Sequence, residues 1–280
     1  MHKLIFHSPE FPILKLEKLT ALLGKAPAHK GRFHMVELAD NPGSELILKS
    51  AQLGSCDVSL IPNINSIPEI KLVISDMDST FINIECVDEI ADFVGKKQQV
   101  SEITEAAMRG ELDFKQSLTK RVGLLGGIDE TALNEIYLNR LRLNPGAEQM
   151  LKGLADRKVK FALVSGGFTF FTSRLKEKYA LDFAKANELE IINGKLTGRV
   201  LGDIVDGEAK RNYLLQLCQE LEITPKQAIA VGDGANDLLM MKESGVGVAY
   251  RAKPKVQEQV SSRLNIADLS AILDIVDVLS

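Results

Sequence analysis

No histidine occurs beyond His34, because all four (His2, His7, His29 and His34) fall in the opening stretch of a 280-residue chain. Chemistry in the main body must therefore run without imidazole, which disfavours Ser-His-Asp hydrolysis and His-ligated metal centres unless the N-terminal segment reaches a distant site. Cysteine is nearly as scarce. Cys56, Cys86 and Cys218 are too scattered for a zinc site or a disulfide framework, which fits a reducing compartment. Cysteine-phosphatase chemistry also fails, since Pro62, Asp92 and Thr224 stand where its arginine, six positions after the nucleophile, would be needed. Every apolar run is far shorter than the ~18 residues of a membrane span. The N-terminal apolar stretch, Leu4 to Phe6, is shorter than the ~7 residues of a secretory core, so the reading is a cytoplasmic chain without an export signal. With 34 basic and 38 acidic side chains the formal charge is −4, which leaves no electrostatic case for nucleic acid. At 45% apolar and 26% charged, the composition is that of a folded globular protein. Carboxylates are the reactive groups that remain.

What is present has the organisation of an α/β protein. Residues 1–68 alternate short extended runs (His2 to His7, Arg32 to Leu38, Asp57 to Ile61) with helical stretches near Leu14 to Leu23 and Ser44 to Leu53, and so read as a small N-terminal α/β domain. The segment Pro62 to Pro68, with two prolines among polar residues, reads as a linker. From Glu69 to Ser280 short apolar runs recur between helical patterns: Lys71 to Ile74, Lys160 to Val164, Ala228 to Val231 and Val246 to Ala249. Runs of that kind, bounded by Gly or acidic residues, predict strands buried on both faces of a doubly wound, Rossmann-like parallel sheet. Ile191 to Lys195 predicts a hairpin with an Asn-Gly turn. The interval from about 84 to 145 carries helical periodicity only and reads as an inserted helical cap.

The chemistry-bearing residues follow the predicted strands. Asp76-Met77-Asp78-Ser79-Thr80 comes directly after the first, at the sheet edge where ligands bind in open parallel sheets. Two carboxylates so close can divide roles if one stays ionised and the other is kept protonated. A polar strand-to-loop turn would also account for the pentapeptide taken alone. Gly232-Asp233-Gly234-Ala235-Asn236-Asp237 follows another strand and brings more carboxylates to the same edge, an oxygen-only set suited to magnesium. A dinucleotide loop is the weaker reading, because Asp237 occupies the third glycine position and Asp233 would repel a pyrophosphate; a helix cap is the structural alternative. Val164-Ser165-Gly166-Gly167 ends a third strand and leads into a helix from Phe168, where a hydroxyl and free N–H groups can hold phosphate, or simply form a turn. Lys210 lies on the apolar stripe of Leu214 and in the first turn of its helix, where the macrodipole disfavours a cation. A buried anion nearby would resolve both problems; snorkelling to solvent is the alternative.

These four motifs, Asp76-x-Asp78-x-Thr80, Ser165, Lys210 and Gly232-Asp233-x-x-x-Asp237, resemble those of the haloacid dehalogenase superfamily. Longer stretches, Asp76 to Glu85, Phe114 to Val122, Val164 to Phe168 and Val231 to Asp237, are similar to the phosphoserine phosphatase family within it. The resemblance runs from about Lys71 to the C-terminus.

The resemblance implies magnesium-dependent hydrolysis of O-phospho-L-serine, the last step of serine biosynthesis, with Asp76 as the nucleophile that becomes an aspartyl-phosphate. Asp78 would protonate the departing serine oxygen and then deprotonate water. Magnesium would be held by the Asp76 carboxylate, the Asp78 backbone carbonyl and Asp233, with Asp237 in support. Ser165, Lys210 and the N–H groups around Gly166 would hold the phosphoryl oxygens, and Asn236 joins the substrate-binding set. In the cap, Glu85 would take the substrate ammonium and Arg121 its carboxylate, while Met108 and Phe114 would form an apolar shield. A small molecule is then the partner, with neither nucleic acid nor membrane, and homo-oligomerisation is left open. Two other readings share parts of the pattern: a phosphatase for a different small ester, and a receiver-like phosphorylation switch.

Overall fold

The computed structural model describes residues 1–63 and 66–280, so the expected linker Pro62 to Pro68 falls in part outside the described residues. Its strands are β1 (His2–Phe6), β2 (Ala28–His29), β3 (His34–Leu38), β4 (Val58–Ile61), β5 (Leu72–Ser75), β6 (Lys160–Phe168), β7 (Phe183–Ile192), β8 (Lys195–Leu201), β9 (Ala228–Gly232), β10 (Val246–Tyr250) and β11 (Ser262–Leu264). They form one sheet in the order β2-β3-β1-β4-β11-β10-β9-β5-β6-β7-β8. The stretch from β11 to β7 is parallel, as the apolar runs predicted. The chain leaves β5 toward β6 on one side, and its later strands β9 to β11 fill the other. The order therefore reverses between β5 and β9, and a crevice opens outside their C-terminal ends.

Alternation along the parallel strands explains how both faces are covered. On one face Leu72, Ile74, Ala162, Val164, Ala228, Ala230 and Ala249 pack against Tyr213, Leu214, Leu217, Met240 and Met241 of the helices Gly207–Glu220 and Leu238–Glu243. The other face carries larger side chains, Val73, Phe161, Leu163, Ile229, Val231, Val248 and Tyr250, and belongs to a core shared with the helical cap. Small residues on the first face let its helices approach closely, and bulk on the second fills a wider gap.

Between β5 and β6 the described elements are helical: Cys86–Phe93, Lys97–Met108, Phe114–Gly123 and Thr131–Glu135, a helical turn over Ile136–Arg140, and Ala147–Asp156, which leads into β6. The chain returns beside its point of exit, where Ile82 bridges Leu143. The buried Asn144 amide donates to the carbonyls of Ser79, Thr80 and Ile82, at 3.3, 2.8 and 3.0 Å. At the hairpin β7–β8, Asn193 (φ 52°) and Gly194 (φ 75°) both take the left-handed conformation that an Asn-Gly turn supplies. One expectation needs correction: the strand expected over Lys160 to Val164 runs on through Phe168, with an irregular register against β7 after Val164, and the helix expected from Phe168 starts at Thr169.

The N-terminal residues build a β-α-β-β-α-β unit whose β4 pairs antiparallel with β11, so its strands extend the main sheet. Leu4 and Phe6 face the unit's own helices, whereas Ile5 and Ile61 join the large core. Polar groups lock the junction. Oδ2 of Asp57 accepts from the N–H groups of Asn265, Ile266 and Ala267, at 2.8, 2.7 and 2.8 Å. Buried His7 bridges Asp274 (2.9 Å) and Ser59 (2.8 Å). Removing the carboxylate in Asp57→Ala leaves those donors without their acceptor, and we expect a loss of about 2–4 kcal/mol, given the weight of hydrogen bonds to charged groups. A lowered midpoint in urea unfolding checks this.

Candidate active site

The crevice between β5 and β9 collects the residues that follow those strands. Asp76 leaves β5 with its N–H donating to the Val231 carbonyl (2.9 Å), which fixes the exit of β5 against β9. Its Oδ1 accepts from the N–H of Met77 at 2.8 Å. The next residues cannot continue the strand: Asp78 stays extended (φ −65°, ψ 133°) but Ser79 is left-handed (φ 55°). That reversal throws Thr80 back toward β9, where its hydroxyl donates to Oδ1 of Asp233 at 3.1 Å.

Lys210 enters from the helix Gly207–Glu220, capped by Asp206, whose side chain accepts from the N–H of Ala209. The ammonium is fully buried and lies 2.7 Å from Oδ1 of Asp76 and 2.6 Å from Oδ1 of Asp237. Burial alone would lower its pKa, but Asp237 and Asp76 outweigh it, so the ammonium stays charged. Oδ2 of Asp237 accepts from the N–H of Gly234 at 3.0 Å. Oxygens of Asp76, Asp233 and Asp237 all lie within 4.8 Å of one another. One ammonium is too little charge for such a group. Burial and the Asp237 carboxylate push Asp76 well above the usual range, against the pull of Lys210, and push Asp233 up to about 6. This oxygen-only donor set, with surplus negative charge, fits a divalent cation.

Asp78 sits apart from that trio. Burial first, then the Glu85 carboxylate, pushes its carboxyl up to about 8. Oδ1 accepts from the Cys86 thiol at 3.0 Å; burial and Asp78 push that thiol well up, so it remains a donor. Ser165, fully buried in β6, accepts the Gly167 N–H on its hydroxyl at 2.8 Å. A Cβ built on Gly167 would lie 2.9 Å from Oδ2 of Asp78, 2.9 Å from Cε of Met77 and 3.0 Å from Oγ of Ser165, so a side chain here must displace its neighbours. The Gly166 carbonyl is held by the Asn187 amide at 2.8 Å, which leaves the peptide fixed in orientation.

From the cap, Glu85 accepts from the Ser79 hydroxyl at 2.7 Å, and burial raises its pKa. Phe114 begins a helix closed by a reciprocal cap between Asp113 and Gln116, and its ring covers Gly166. Arg121 is largely buried, with Nη1 3.9 Å from Oδ1 of Asp88. Its Nε and that Asp88 oxygen are buried without a hydrogen-bond partner among the described residues. Asn236 lies in the loop after β9, its backbone against Gly207. Met108, the last residue of the helix Lys97–Met108, is 68% exposed.

A family model for haloacid dehalogenase-like hydrolases matches residues 70–245. A phosphoserine phosphatase of Polaromonas sp. is 53% identical over 213 residues, which is 74% of this chain and 90% of that protein. The chain is a haloacid dehalogenase-like hydrolase of the phosphoserine phosphatase family. The hydrolase is similar along nearly its whole length to the crystal structure of a probable phosphoserine phosphatase from Vibrio cholerae, unliganded. That match has a TM-score of 0.83 and 36% identity, and covers 99% of this chain and 86% of the other. A phospho-aspartyl intermediate analogue of phosphoserine phosphatase matches with a TM-score of 0.69 and 40% identity, over 74% of this chain and 99% of that one.

Sequence reasoning missed Cys86, Asn187 and Asp88. Asn187 carries no motif signal, since its partners, Gly166 and Val205, are distant in the chain. The space at Gly167 gives a direct check. Gly167→Ala should lower kcat at least about a hundredfold by displacing Asp78 or Ser165, as misplacement near 1 Å does, while circular dichroism shows the fold unchanged.

Proposed function

We propose that this hydrolase converts O-phospho-L-serine to L-serine and phosphate, the closing step of serine biosynthesis, through an aspartyl-phosphate on Asp76. A carboxylate oxygen of Asp76 attacks phosphorus in line as the bond to the serine oxygen breaks, and Asp78 gives its proton to that oxygen. Asp78 then takes a proton from water as the water attacks phosphorus and releases Asp76. Its elevated pKa, set by burial and Glu85, supports the first of these roles. Lys210, the Ser165 hydroxyl and the Gly166 N–H hold the phosphoryl oxygens while charge redistributes. A magnesium ion held by the Asp76 carboxylate, the Asp78 carbonyl and Asp233, with Asp237 in support, would neutralise charge at the phosphoryl group.

The observation that carries the substrate assignment is the buried Nε of Arg121 in the cap, which has no hydrogen-bond partner among the described residues. A buried guanidinium lacking a full set of acceptors is costly, and a substrate carboxylate would supply them in bidentate fashion. Glu85 then takes the ammonium, Phe114 covers the pocket, and Met108 and Asn236 complete the substrate contacts. A second acid at Asp78 favours turnover over a stable phosphorylation switch. The division into an accessory unit at 1–68, a core at 69–280 and a cap at about 84–145 belongs to this reading. So does a cytoplasmic setting, in which free Cys56, Cys86 and Cys218 would stay reduced. Among the described residues no helix is long and apolar enough to cross a membrane.

Phosphate release from phosphoserine should require magnesium and vanish in Asp76→Asn, whose folding remains intact; activity retained in that variant would mean another group attacks. Arg121→Ala should lower kcat/KM on phosphoserine by about a hundredfold, as truncating one side of a buried charge contact does. On p-nitrophenyl phosphate, which lacks the zwitterion, it should change little. Equal losses on both substrates would remove the amino-acid pocket.

A further inference from the structure

Asp78 is asked to move a proton between its own carboxyl and the substrate, and a carboxyl free to rotate does so poorly. Its two oxygens are not equivalent here. Oδ1 receives the Cys86 S–H at 3.0 Å. Oδ2 lies beside Gly167, 2.9 Å from the point a Cβ there would occupy, and the Ser165 hydroxyl oxygen lies 3.0 Å from the same point. We propose that Cys86 is a positioning residue for Asp78: its thiol pins Oδ1 so that Oδ2 alone is presented to the leaving oxygen. The inference deepens the phosphatase reading and rests on it.

Three observations beyond the contact itself converge on this role. The Cys86 side chain is fully buried, so its S–H has no water to turn to, and its hydrogen-bond partner is the Asp78 carboxyl, which the Cys86 N–H also approaches. It is the first residue of the first cap helix, directly after Glu85, so the anchor on the acid and the residue assigned to the substrate ammonium share one rigid segment. That segment is tied to the loop of Asp78 a second time, by the Ser79 hydroxyl on Glu85 at 2.7 Å, and Ser79 holds the left-handed turn next to Asp78. Displacement of the cap segment would therefore release Oδ1 and disturb the turn together. The thiol forms and breaks no bond in either half of the reaction; the proton that moves is that of Asp78.

The test compares Cys86→Ser with Cys86→Ala, which leave nearly the same space but differ in a donor. In single-turnover measurements, Cys86→Ala should lower the rate of serine release from phosphoserine about tenfold, ~1.4 kcal/mol in the barrier, with KM nearly unchanged. Cys86→Ser should recover most of that loss. The burst of p-nitrophenolate from p-nitrophenyl phosphate, whose leaving group departs without protonation, should be the same in wild type and both variants. Equal rates of serine release in wild type and Cys86→Ala would overturn the proposal, as would equal losses in the Ser and Ala variants, or a slowed p-nitrophenolate burst. If the wild type ignores phosphoserine, the substrate assignment falls, and the same comparison on whichever alkyl phosphate it does hydrolyse still decides the role of Cys86. Thr in place of Ser, set against Val in place of Ala, repeats the comparison should the smaller pair fold poorly.

Discussion

Burying the Lys210 ammonium between Asp76 and Asp237 is the arrangement on which the rest of the site depends. Such an ion pair is a poor source of stability, because desolvating the charges offsets most of their attraction. Its value lies in geometry. The ammonium fixes one oxygen of Asp76 against β9 and one of Asp237 against the same point, so two strand ends and one helix are held in register by a single atom. The helix Gly207–Glu220 packs its apolar stripe on the small-residue face of the sheet, and the stripe continues through Lys210 itself. A cation is then delivered to the crevice by the same periodicity that builds the core.

Much of this was legible in the sequence because charge stood where the pattern called for an apolar side chain. Lys210 on an apolar stripe and aspartates directly after buried runs are local conflicts, and local conflicts mark sites. Flat apolar runs identified β5, β9 and β10 to within a residue. The three-residue strand β11 was not legible, because Ser262-Arg263-Leu264 offers neither apolar run nor alternation long enough to read. Its existence depends on neighbours on both sides, β10 and β4, which only the tertiary fold supplies. Cys86 and Asn187 were unreadable for a related reason: their roles are set by groups close in space and not by spacing along the chain.

The same strand pairing gives the N-terminal unit a physical reason to be there. A parallel sheet ending at β11 would present a row of unpaired N–H and C=O groups, the usual route to edge-to-edge association. Strand β4 covers that edge, the N–H of Leu60 donating to the Ser261 carbonyl at 3.1 Å. All four residues of β4 are buried, so the strand is a central one in every respect except its origin in another unit. The carboxylate of Asp57 then terminates the loop after β11 by accepting its successive N–H groups.

The position of the cap also follows from the strand that carries Asp76. An insertion placed directly after β5 puts both of its ends at the crevice, so whatever the cap recognises is reported to the residues that react. Asn144 holds the returning end to the carbonyls of Ser79, Thr80 and Ile82, and Glu85 and Cys86 hold the departing end to Ser79 and Asp78. The loop between Asp76 and the cap is thus gripped from both sides, and its left-handed Ser79 is kept by contacts instead of by glycine. A backbone over-determined in this way resists drift in the orientation of Asp78. Phosphoryl transfer needs that resistance more than it needs any single strong contact, because the protein's contribution to it is almost entirely placement.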